Sequence, residues 1–459
     1  MNKRRNIIVI VADDHRYESL GCNGNAAVKT PNLDALAARG TRFTGAHCQG
    51  SMHPAVCVPS RASLLTGKNI FASSLDPTGR DYEGTAFAIP ADLATFPQML
   101  RSEGYHTHAV GKWHNDKASF ARSFASGSHL LFGGMSDHDR VPLSPFDPTG
   151  AYPKEDIYFE SGFSTDMFRD AAEAFLREYR QDNPFCLYLA FTAPHDPRTP
   201  PPHSRMSADE IELPGNYLPI HPFDNGEMLV RDELLEDFPR SPDAIRQHIA
   251  DYYGMIAHLD DAIGSLMRTL SQTGHSDDTI VVYTADHGLA LGQHGLLGKQ
   301  NLYSHSLRIP LIMAGPGIPL GRQVDDLVWH ADTHATIMSM LGYGASPECE
   351  GTNQMPAADG REEPKRQTLA AVYRFGQRMI RNERYKLIRY YKSTAHNAYA
   401  MRDGTATPGS DVVQLFDLRA DPLETVNLAA LPDMQAVLKE LGEELYRWQM
   451  SVHDPILGG

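Results

Sequence analysis

Continuous apolar runs, rather than alternating ones, mark the predicted strands in the first three quarters of the chain. Residues 7–12 read Ile-Ile-Val-Ile-Val-Ala, and Phe185–Phe191 and Thr279–Thr284 are similar runs. Such a run predicts a strand that is covered on both faces of a parallel sheet. Segments with helical spacing of apolar residues, such as Ser164–Tyr179, lie between these runs. The alternation of strands and helices predicts an α/β domain over residues 1–355.

The C-terminal quarter has a different pattern. Four short segments between Thr368 and Phe416 alternate apolar and polar residues as antiparallel strands do, and Met434–Trp448 has the spacing of an amphipathic helix. We therefore predict a C-terminal α+β subdomain with an antiparallel sheet over residues 356–459. In the first domain, residues 115–160 are rich in Gly, Ser, Asp and Pro and predict one long loop.

Composition limits the partners of the protein. The chain has 459 residues, of which 41% are hydrophobic, and its net charge is −15. An acidic chain of this kind is not expected to bind nucleic acid, and an anionic substrate would need a local cationic pocket. No apolar run reaches the length of a membrane span, and the first one is too short for a signal peptide. We expect a cytoplasmic protein without a membrane partner, or a periplasmic one if a leader has been removed.

The five cysteines do not predict a disulfide framework. Their number is odd and their spacing is irregular, and no C-x-x-C pair is present. A structural zinc site of the usual spacing is not expected either.

Acidic residues follow two of the predicted buried strands directly. Asp13 and Asp14 follow the first, and Asp286 and His287 follow the strand that ends near Thr284. Ligands of open α/β sheets bind at the carboxyl ends of the strands. Carboxylates that meet there repel one another unless a cation lies between them, and hard divalent cations prefer several oxygen ligands. We therefore predict a divalent-metal site, with helix capping or pairing with Arg as the alternative for any single Asp.

The segment Cys57–Gly67 places a thiol, a proline and a guanidinium at the start of a predicted helix. Pro59 suits the first turn, and Cys57 would face free backbone N–H groups that stabilise an anion. Arg61 adds a planar group that binds oxyanions. Taken alone, Cys57 could equally be a small buried residue.

Four further residues with acid, base or cationic side chains lie near predicted strand ends or beside the second acidic pair: Lys112, His114, His195 and Lys299. Each alone is ordinarily a solvated lysine or a structural histidine. Together they would form a cationic site with acid and base groups beside Cys57. Cleavage of an anionic ester needs this combination of charge neutralisation, nucleophile and proton transfer.

The segment Cys57–Gly67 also resembles a known family. It matches without a gap the C-x-P-S-R-x-S-x-x-T-G signature of the type I, formylglycine-dependent sulfatases of the alkaline phosphatase superfamily. Further motifs occur in the family's order along nearly the whole chain: Asp13-Asp14, Thr30-Pro31-Asn32-Leu33-Asp34, Gly111-Lys112-Trp113-His114, Pro194-His195, Asp286-His287-Gly288, Gly298-Lys299, Tyr385-Lys386-Leu387-Ile388 and Leu415-Phe416-Asp417-Leu418. The resemblance implies a large mixed, mostly parallel sheet sandwiched by helices, as in alkaline phosphatase, and a small C-terminal subdomain.

The resemblance also implies a modified nucleophile. A formylglycine-generating maturation enzyme would oxidise Cys57 to Cα-formylglycine, whose hydrated aldehyde attacks sulfur, forms a covalent sulfo-enzyme and then expels sulfate. One divalent metal, expected to be Ca²⁺, would be held by residue 57 and by Asp13, Asp14, Asp286 and His287. Many members have Asn where His287 stands, although Asp-His also occurs in some carbohydrate sulfatases. The nitrogen ligand leaves the identity of the metal open.

By the same likeness, five side chains complete the catalytic site. Arg61 and Lys112 would hold the diol and the sulfate, and His114 would assist the collapse of the hemiacetal. His195 and Lys299 would bind the sulfate and the leaving oxygen, with His195 favoured as the proton donor.

The substrate is expected to be a sulfated saccharide. The stretch 218–227 and Arg231-Asp232-Glu233 look similar to bacterial sulfatases of sulfated glycans, including uronate 2-O-sulfatases. Alternatives are an aryl or choline sulfatase, or a phosphonate monoester or phosphodiester hydrolase of the same superfamily. A two-zinc phosphatase would need a further ligand set, and a non-catalytic binding protein would keep Cys57 as a thiol. His294 and His305 are either substrate contacts or surface residues.

Overall fold

The strands form two sheets, of eight and five strands, in the computed structural model, which describes residues 4–76, 88–361, 365–393 and 407–458. In chain order the strands are β1 (Asn6–Ala12), β2 (Gly40–His47), β3 (Gly50–Ser51), β4 (His106–Lys112), β5 (Ser126–Leu131), β6 (Phe185–Ala190), β7 (Thr279–Ala285), β8 (Leu311–Ala314), β9 (Arg322–Trp329), β10 (Leu369–Tyr373), β11 (Gln377–Arg381), β12 (Tyr385–Tyr390) and β13 (Val412–Asp417). The helices are α1 (Pro31–Ala38), α2 (Cys57–Thr66), α3 (Phe96–Ser102), α4 (Lys117–Ser123), α5 (Ser164–Glu178), α6 (Pro242–Gln272), α7 (Ser304–Leu307), α8 (His330–Met340), α9 (Met355–Ala358) and α10 (Gln435–Ser451).

The large sheet has the strand order β5-β4-β6-β1-β7-β8-β2-β9. The strand β8 runs antiparallel to both of its neighbours, and the other pairs are parallel. Every residue of the central strands β1, β6 and β7 is buried, as their continuous apolar runs require. This arrangement confirms the predicted α/β class and the mixed, mostly parallel sheet.

The register of the central strands places the acidic residues side by side. Ala12 of β1 pairs with Ala285 of β7, so Asp13 and Asp286 leave the sheet at the same level. On the other side of β1, the strands β6 and β4 are parallel to it and in register. Lys112, the last residue of β4, therefore reaches the same edge. Sheet topology alone thus collects residues that are far apart in sequence.

Helix ends follow the capping residues in the sequence. Pro242 begins α6, and the Ser241 side chain accepts a hydrogen bond from the Ala244 N–H at 3.1 Å. The helix α2 ends at Thr66, and the next residue, Gly67, has the left-handed φ of 73°. Among the described helices, none combines the length and apolar composition that crossing a membrane requires.

The second sheet has the order β13-β12-β11-β10-β3. The strands β10 to β13 form an antiparallel meander against which α10 packs, as predicted for the C-terminal subdomain. The fifth strand, β3, comes from the segment before α2 and pairs in parallel with β10. Gly50 has a φ of 74°, and a Cβ there would lie 2.1 Å from the Val372 carbonyl oxygen, so only glycine fits. The boundary at residue 355 stays a prediction.

Three strands of the large sheet differ from the sequence prediction. The predicted loop over residues 115–160 is wrong in part, because this segment contains α4 and the edge strand β5. The strands β2 and β9 were not predicted either. The edge strand β9 is partly exposed and lacks a continuous apolar run, and β2 carries Gly40 and Gly45 where neighbouring backbone leaves no room for a Cβ. Their sequences therefore lack the apolar signal of a central strand.

Candidate active site

The carboxyl edge of the large sheet gathers three buried carboxylates: Asp13, Asp14 and Asp286. Asp14 has a φ of 66°, a left-handed conformation that is unfavourable for a residue other than glycine and is concentrated at functional sites. Its N–H donates to Asp286 Oδ1 at 3.2 Å. His287 Nε2 lies 3.3 Å from Asp14 Oδ1 and 3.7 Å from Asp286 Oδ1. The residues predicted to hold a metal therefore lie together.

Cys57 begins α2, with Pro59 in the first turn, as predicted. Its Sγ lies 3.0 Å from His114 Nδ1 and 3.9 Å from Lys112 Nζ. Burial alone would raise the pKa of the Cys57 thiol, but the charge of Lys112 and the other nearby cations outweigh burial, and the pKa is lowered. The structure thus places the predicted nucleophile precursor in an electropositive position.

Two buried cations compensate the carboxylates next to Cys57. Arg61 donates from Nε to Asp286 Oδ2 at 3.0 Å and from Nη1 to the Lys112 carbonyl at 3.1 Å, and its Nη2 lies 3.6 Å from Asp13 Oδ1. Lys112 Nζ donates to Asp13 Oδ2 and to the Gly134 carbonyl oxygen. Burial lowers the pKa of Arg61, but the two carboxylates raise it more, so the guanidinium stays charged.

A third cation, Lys299, connects the second carboxylate to His195. Lys299 Nζ lies 2.8 Å from Asp14 Oδ1 and 3.0 Å from His195 Nε2. His195 Nδ1 lies 2.7 Å from the Asp196 carbonyl oxygen. Because a carbonyl can only accept, Nδ1 carries the proton and Nε2 accepts from Lys299. The Asp196 carboxylate in turn pairs with both terminal nitrogens of Arg231 at 2.6 and 2.9 Å, which fixes the loop that carries His195.

The donor set fits a divalent cation. Four buried side chains each place a potential ligand atom within 4.8 Å of the others: Asp13, Cys57, Asp286 and His287. Asp13 Oδ1 and His287 Nε2 are buried and have no hydrogen-bond partner within the described part of the chain. Buried polar atoms are rarely left in this state, and a bound cation would satisfy both.

A second group of possible ligands lies beside the first: Asp14, His195 and Asp196. Sequence reasoning did not include Asp196, although its position between His195 and a proline was visible. Lys299 is already hydrogen-bonded to Asp14 and His195, so an ammonium group neutralises this position. The arrangement therefore does not favour the two-zinc alternative.

Comparison with known families identifies the family of the chain. Residues 5–343 match the family model described as sulfatase, and residues 292–451 match the model described as N-sulphoglucosamine sulphohydrolase, C-terminal. The chain belongs to the sulfatase family. Three relatives of this sulfatase are N-acetylglucosamine-6-O-sulfatase of Bacteroides thetaiotaomicron (26% identical over 98% of this chain and 87% of the relative), choline-sulfatase of Rhizobium meliloti (28%, over 93% and 83%) and human arylsulfatase A (28%, over 95% and 86%).

Solved structures confirm the alkaline phosphatase-like fold. BT4656 in complex with its substrate D-glucosamine-2-N,6-O-disulfate is similar with a TM-score of 0.76 at 24% identity, covering 98% of this sulfatase and 99% of that chain. The phosphonate monoester hydrolase of Agrobacterium radiobacter has a TM-score of 0.74 at 22% identity, covering 98% and 96%. Family membership confirms that the protein is an enzyme rather than a non-catalytic binding protein.

A cleft of about 590 Å³ leads to Cys57 in this sulfatase. The catalytic candidates His114, His195 and Lys299 line it, whereas Arg61 and Lys112 are buried behind it. The small sheet contributes Arg374, which follows β10 and has a φ of 42°. No motif in the sequence indicates Arg374, because its place in the cleft results from packing of the two sheets.

His294 and His305 do not reach the cleft. Both are buried, and the His294 ring stacks on Tyr303 with 3.9 Å between ring centroids. His294 Nε2 also lies 3.1 Å from Asn216 Nδ2. The expected surface position is therefore wrong for both residues, and their rings belong to the packing around Tyr303. The alternative of substrate contact stays a prediction.

Proposed function

We propose that this sulfatase hydrolyses a sulfate monoester of a saccharide, and that its nucleophile is formylglycine made from Cys57 by a maturation enzyme. The proposal rests on the position of Cys57 at the inner end of the cleft. The thiol lies within 4.8 Å of the metal-ligand set on one side and 3.0 Å from His114 on the other.

Two groups that must be added to the chain would supply part of the chemistry. The aldehyde hydrate at position 57 supplies one hydroxyl that attacks sulfur and a second that allows sulfate to be expelled afterwards. A divalent cation would supply positive charge beside residue 57. We propose Ca²⁺, because three of the four donors would be oxygens: the two carboxylates and a hydroxyl of the modified residue 57.

Three side chains of this enzyme surround the reacting hydroxyls. Lys112 Nζ, 3.9 Å from the Cys57 Sγ, adds positive charge where negative charge grows during attack on sulfur. Arg61, in the second turn of α2, pairs with Asp13 and Asp286 and keeps both carboxylates in place. His114 Nδ1, 3.0 Å from Sγ, is within reach of a proton on the group at position 57, and we assign it the role of the base that releases sulfate.

The pair Lys299 and His195 faces the leaving group. The Asp196 carbonyl oxygen holds the proton of His195 on Nδ1, so Nε2 and Lys299 Nζ share a hydrogen bond on the side of the cleft. Both are lining residues, so this pair can neutralise a sulfate oxygen. The Lys299 ammonium can supply the proton that the leaving oxygen takes up, either directly or through His195 Nε2.

A saccharide as the carrier of the sulfate is supported by relatives. One matched along 98% of this chain is an N-acetylglucosamine-6-O-sulfatase, and BT4656 was solved with D-glucosamine-2-N,6-O-disulfate. The uronate 2-O-sulfate expected from the stretches 218–227 and 231–233 stays a prediction.

Steady-state rates on four substrate classes test the proposal. We expect the mature enzyme to hydrolyse saccharide sulfates with a higher kcat/KM than choline sulfate, an aryl sulfate or an aryl phosphodiester. The control is Cys57→Ala, which should lose turnover on all four. Faster hydrolysis of the phosphodiester than of any sulfate would instead place the enzyme with the phosphonate monoester and phosphodiester hydrolases.

A further inference from the structure

The segment 132–138, which follows β5, runs along the cleft and contacts two of the catalytic candidates near its start. Its first four residues line the cleft. The Gly134 carbonyl oxygen accepts a hydrogen bond from Lys112 Nζ, and a Cβ on Gly134 would lie 2.6 Å from His114 Nε2. The backbone of this segment therefore lies directly against two side chains that contact Cys57.

The last residue of the segment, His138, contacts a third candidate. Its neighbours Asp137 and Asp139 are exposed, whereas His138 itself is 2% exposed and turns inward. His138 Nε2 lies 2.8 Å from the His195 carbonyl oxygen. Because a carbonyl oxygen can only accept, Nε2 carries a proton and is the donor.

The second ring nitrogen of His138 also has partners. Nδ1 lies 3.0 Å from Ser164 Oγ and 3.3 Å from Thr192 Oγ1, and the two hydroxyl oxygens lie 2.8 Å apart. Burial lowers the pKa of His138, so its ring is neutral near neutral pH and Nδ1 accepts from a hydroxyl. Both ring nitrogens are thus satisfied, and the hydrogen bonds fix the orientation of the imidazole.

These partners join His138 to two elements of the large domain. Ser164 is the first residue of α5, and its N–H donates to the His138 carbonyl oxygen at 2.6 Å. Thr192 lies in the turn after β6, and its carbonyl oxygen accepts from the His195 N–H at 3.0 Å. The backbone of His195 is therefore held at its N–H by Thr192 and at its carbonyl oxygen by His138.

A buried, fully hydrogen-bonded histidine is ordinarily a structural residue. His138 differs because the group that it binds is the backbone of the residue that faces the leaving oxygen. Proton transfer needs heavy atoms about 2.6–3.2 Å apart, and a displacement of about 1 Å can cost about 100-fold in rate. Loss of the contact at 2.8 Å would allow His195 Nε2 to move relative to Lys299 Nζ.

We propose that His138 is a positioning residue for His195, and that it acts on the step in which the leaving oxygen takes up its proton. This inference rests on the proposed function, in which His195 and Lys299 serve that oxygen. It has a consequence that a purely structural role lacks. A sugar or phenol oxygen needs the proton as the S–O bond breaks, whereas 4-nitrophenolate departs as a stable anion.

Two substitutions of His138 and three substrates test the inference. His138→Phe keeps a ring and removes the donor, and His138→Gln keeps an N–H donor near the position of Nε2. For His138→Phe we expect kcat/KM to fall by about 10-fold to 100-fold on N-acetylglucosamine 6-sulfate and phenyl sulfate, but by at most about threefold on 4-nitrophenyl sulfate. His138→Gln should stay within about threefold of the wild type on all three substrates.

The ratio of kcat/KM between the substrates is the informative quantity, because it covers the departure of the leaving group and cancels differences in the fraction of active enzyme. Formylglycine content and melting temperature are measured for each variant. His334→Phe is the matched control, since His334 is also buried and hydrogen-bonds a backbone carbonyl oxygen, that of Leu65 at 3.0 Å. It is not among the described residues that line the cleft, so this variant should leave the ratio unchanged.

A second variant keeps the test decisive if His138→Phe does not fold. Ser164→Ala removes the hydroxyl that lies nearest to His138 Nδ1 and leaves the imidazole in place. It should shift the substrate ratio in the same direction by about twofold to tenfold, as loss of one hydrogen bond allows. An unchanged ratio in folded Ser164→Ala would then overturn the inference.

The outcomes separate this inference from the proposed function. An equal loss of kcat/KM on all three substrates in folded, mature His138→Phe would show a structural role and overturn the inference, while the sulfatase mechanism would stand. A His138→Gln enzyme as impaired as His138→Phe would also contradict it. If the wild type carries formylglycine and hydrolyses none of the three substrates, the proposed function fails and the inference falls with it.

Discussion

The contact between Gly134 and His114 offers a sensitive test of the catalytic geometry. A Cβ added to Gly134 would lie 2.6 Å from His114 Nε2 and 2.7 Å from Cε1, whereas ordinary contacts begin near 3.4 Å. Gly134→Ala therefore has to displace the imidazole or the loop by somewhat less than 1 Å. The loop is tied to the site as well, because Lys112 Nζ donates to the Gly134 carbonyl oxygen. Either movement misplaces a group that contacts residue 57.

A displacement of about 1 Å at a reacting group can lower the rate by about 100-fold, so we expect kcat to fall by roughly 10-fold to 100-fold. The matched control is Gly133→Ala, whose Cβ would meet only Leu131 Cδ1 at 3.6 Å among the described atoms within 4 Å. The assay is steady-state hydrolysis of a saccharide sulfate, with the formylglycine content and the melting temperature of each variant measured in parallel. A folded, mature Gly134→Ala enzyme with the kcat of Gly133→Ala would refute the role given to His114.

Three further predictions concern stability. Lys299→Met removes the cation that pairs with the buried Asp14 carboxylate. The free energy of unfolding of the metal-free protein, measured by urea denaturation, should therefore fall by about 3–5 kcal/mol. Lys365→Met, which breaks the exposed pair with Asp326, should cost less than about 1 kcal/mol, and equal losses would contradict this account. Burial lowers the pKa of His334 from 6.5 to about 4. Between these two pH values the unfolded chain binds a proton at this residue and the folded protein does not. The free energy of unfolding therefore falls by about 1.4 kcal/mol for each pH unit from 6.5 towards 4. His334→Asn should reduce the slope of the free energy of unfolding against pH between pH 6.5 and 5 by that amount. An unchanged slope would show that a group other than His334 causes the pH dependence. Removal of metal by a chelator should lower the melting temperature of the wild type, and addition of Ca²⁺ should restore it. A melting temperature that changes with neither treatment would contradict the proposed metal site.

The central strands and the site residues around Cys57 could be predicted, because short stretches of sequence indicate each of them. The apolar run of residues 7–12 specifies a buried strand, and an acid directly after it must lie at the carboxyl edge of the sheet. The same reasoning applies to Asp286 after β7. The segment beginning at Cys57 carries its own helix start and its own signature, so the predicted position of the thiol at the beginning of α2 is confirmed.

The ion pairs around the cleft could not be predicted, because their residues meet only through tertiary packing. Arg374 follows a strand of the small sheet and Glu227 lies in a loop 147 residues earlier. Glu227 falls in the stretch 218–227 that the sequence singled out, but nothing in that stretch indicates its pairing with Arg374. The contact of Asp196 with Arg231 spans 35 residues of irregular chain. Partly exposed edge strands such as β9 escaped prediction for a related reason, since neighbours rather than apolar sequence determine their pairing.

Mass spectrometry of the proteolytic peptide that contains residue 57, taken from protein made in its native host, tests the central claim most directly. We predict an aldehyde in place of the Cys57 thiol, and a sulfatase activity that rises in proportion to the converted fraction. A peptide with only unmodified cysteine, from protein that hydrolyses sulfate esters at full rate, would contradict the proposed mechanism.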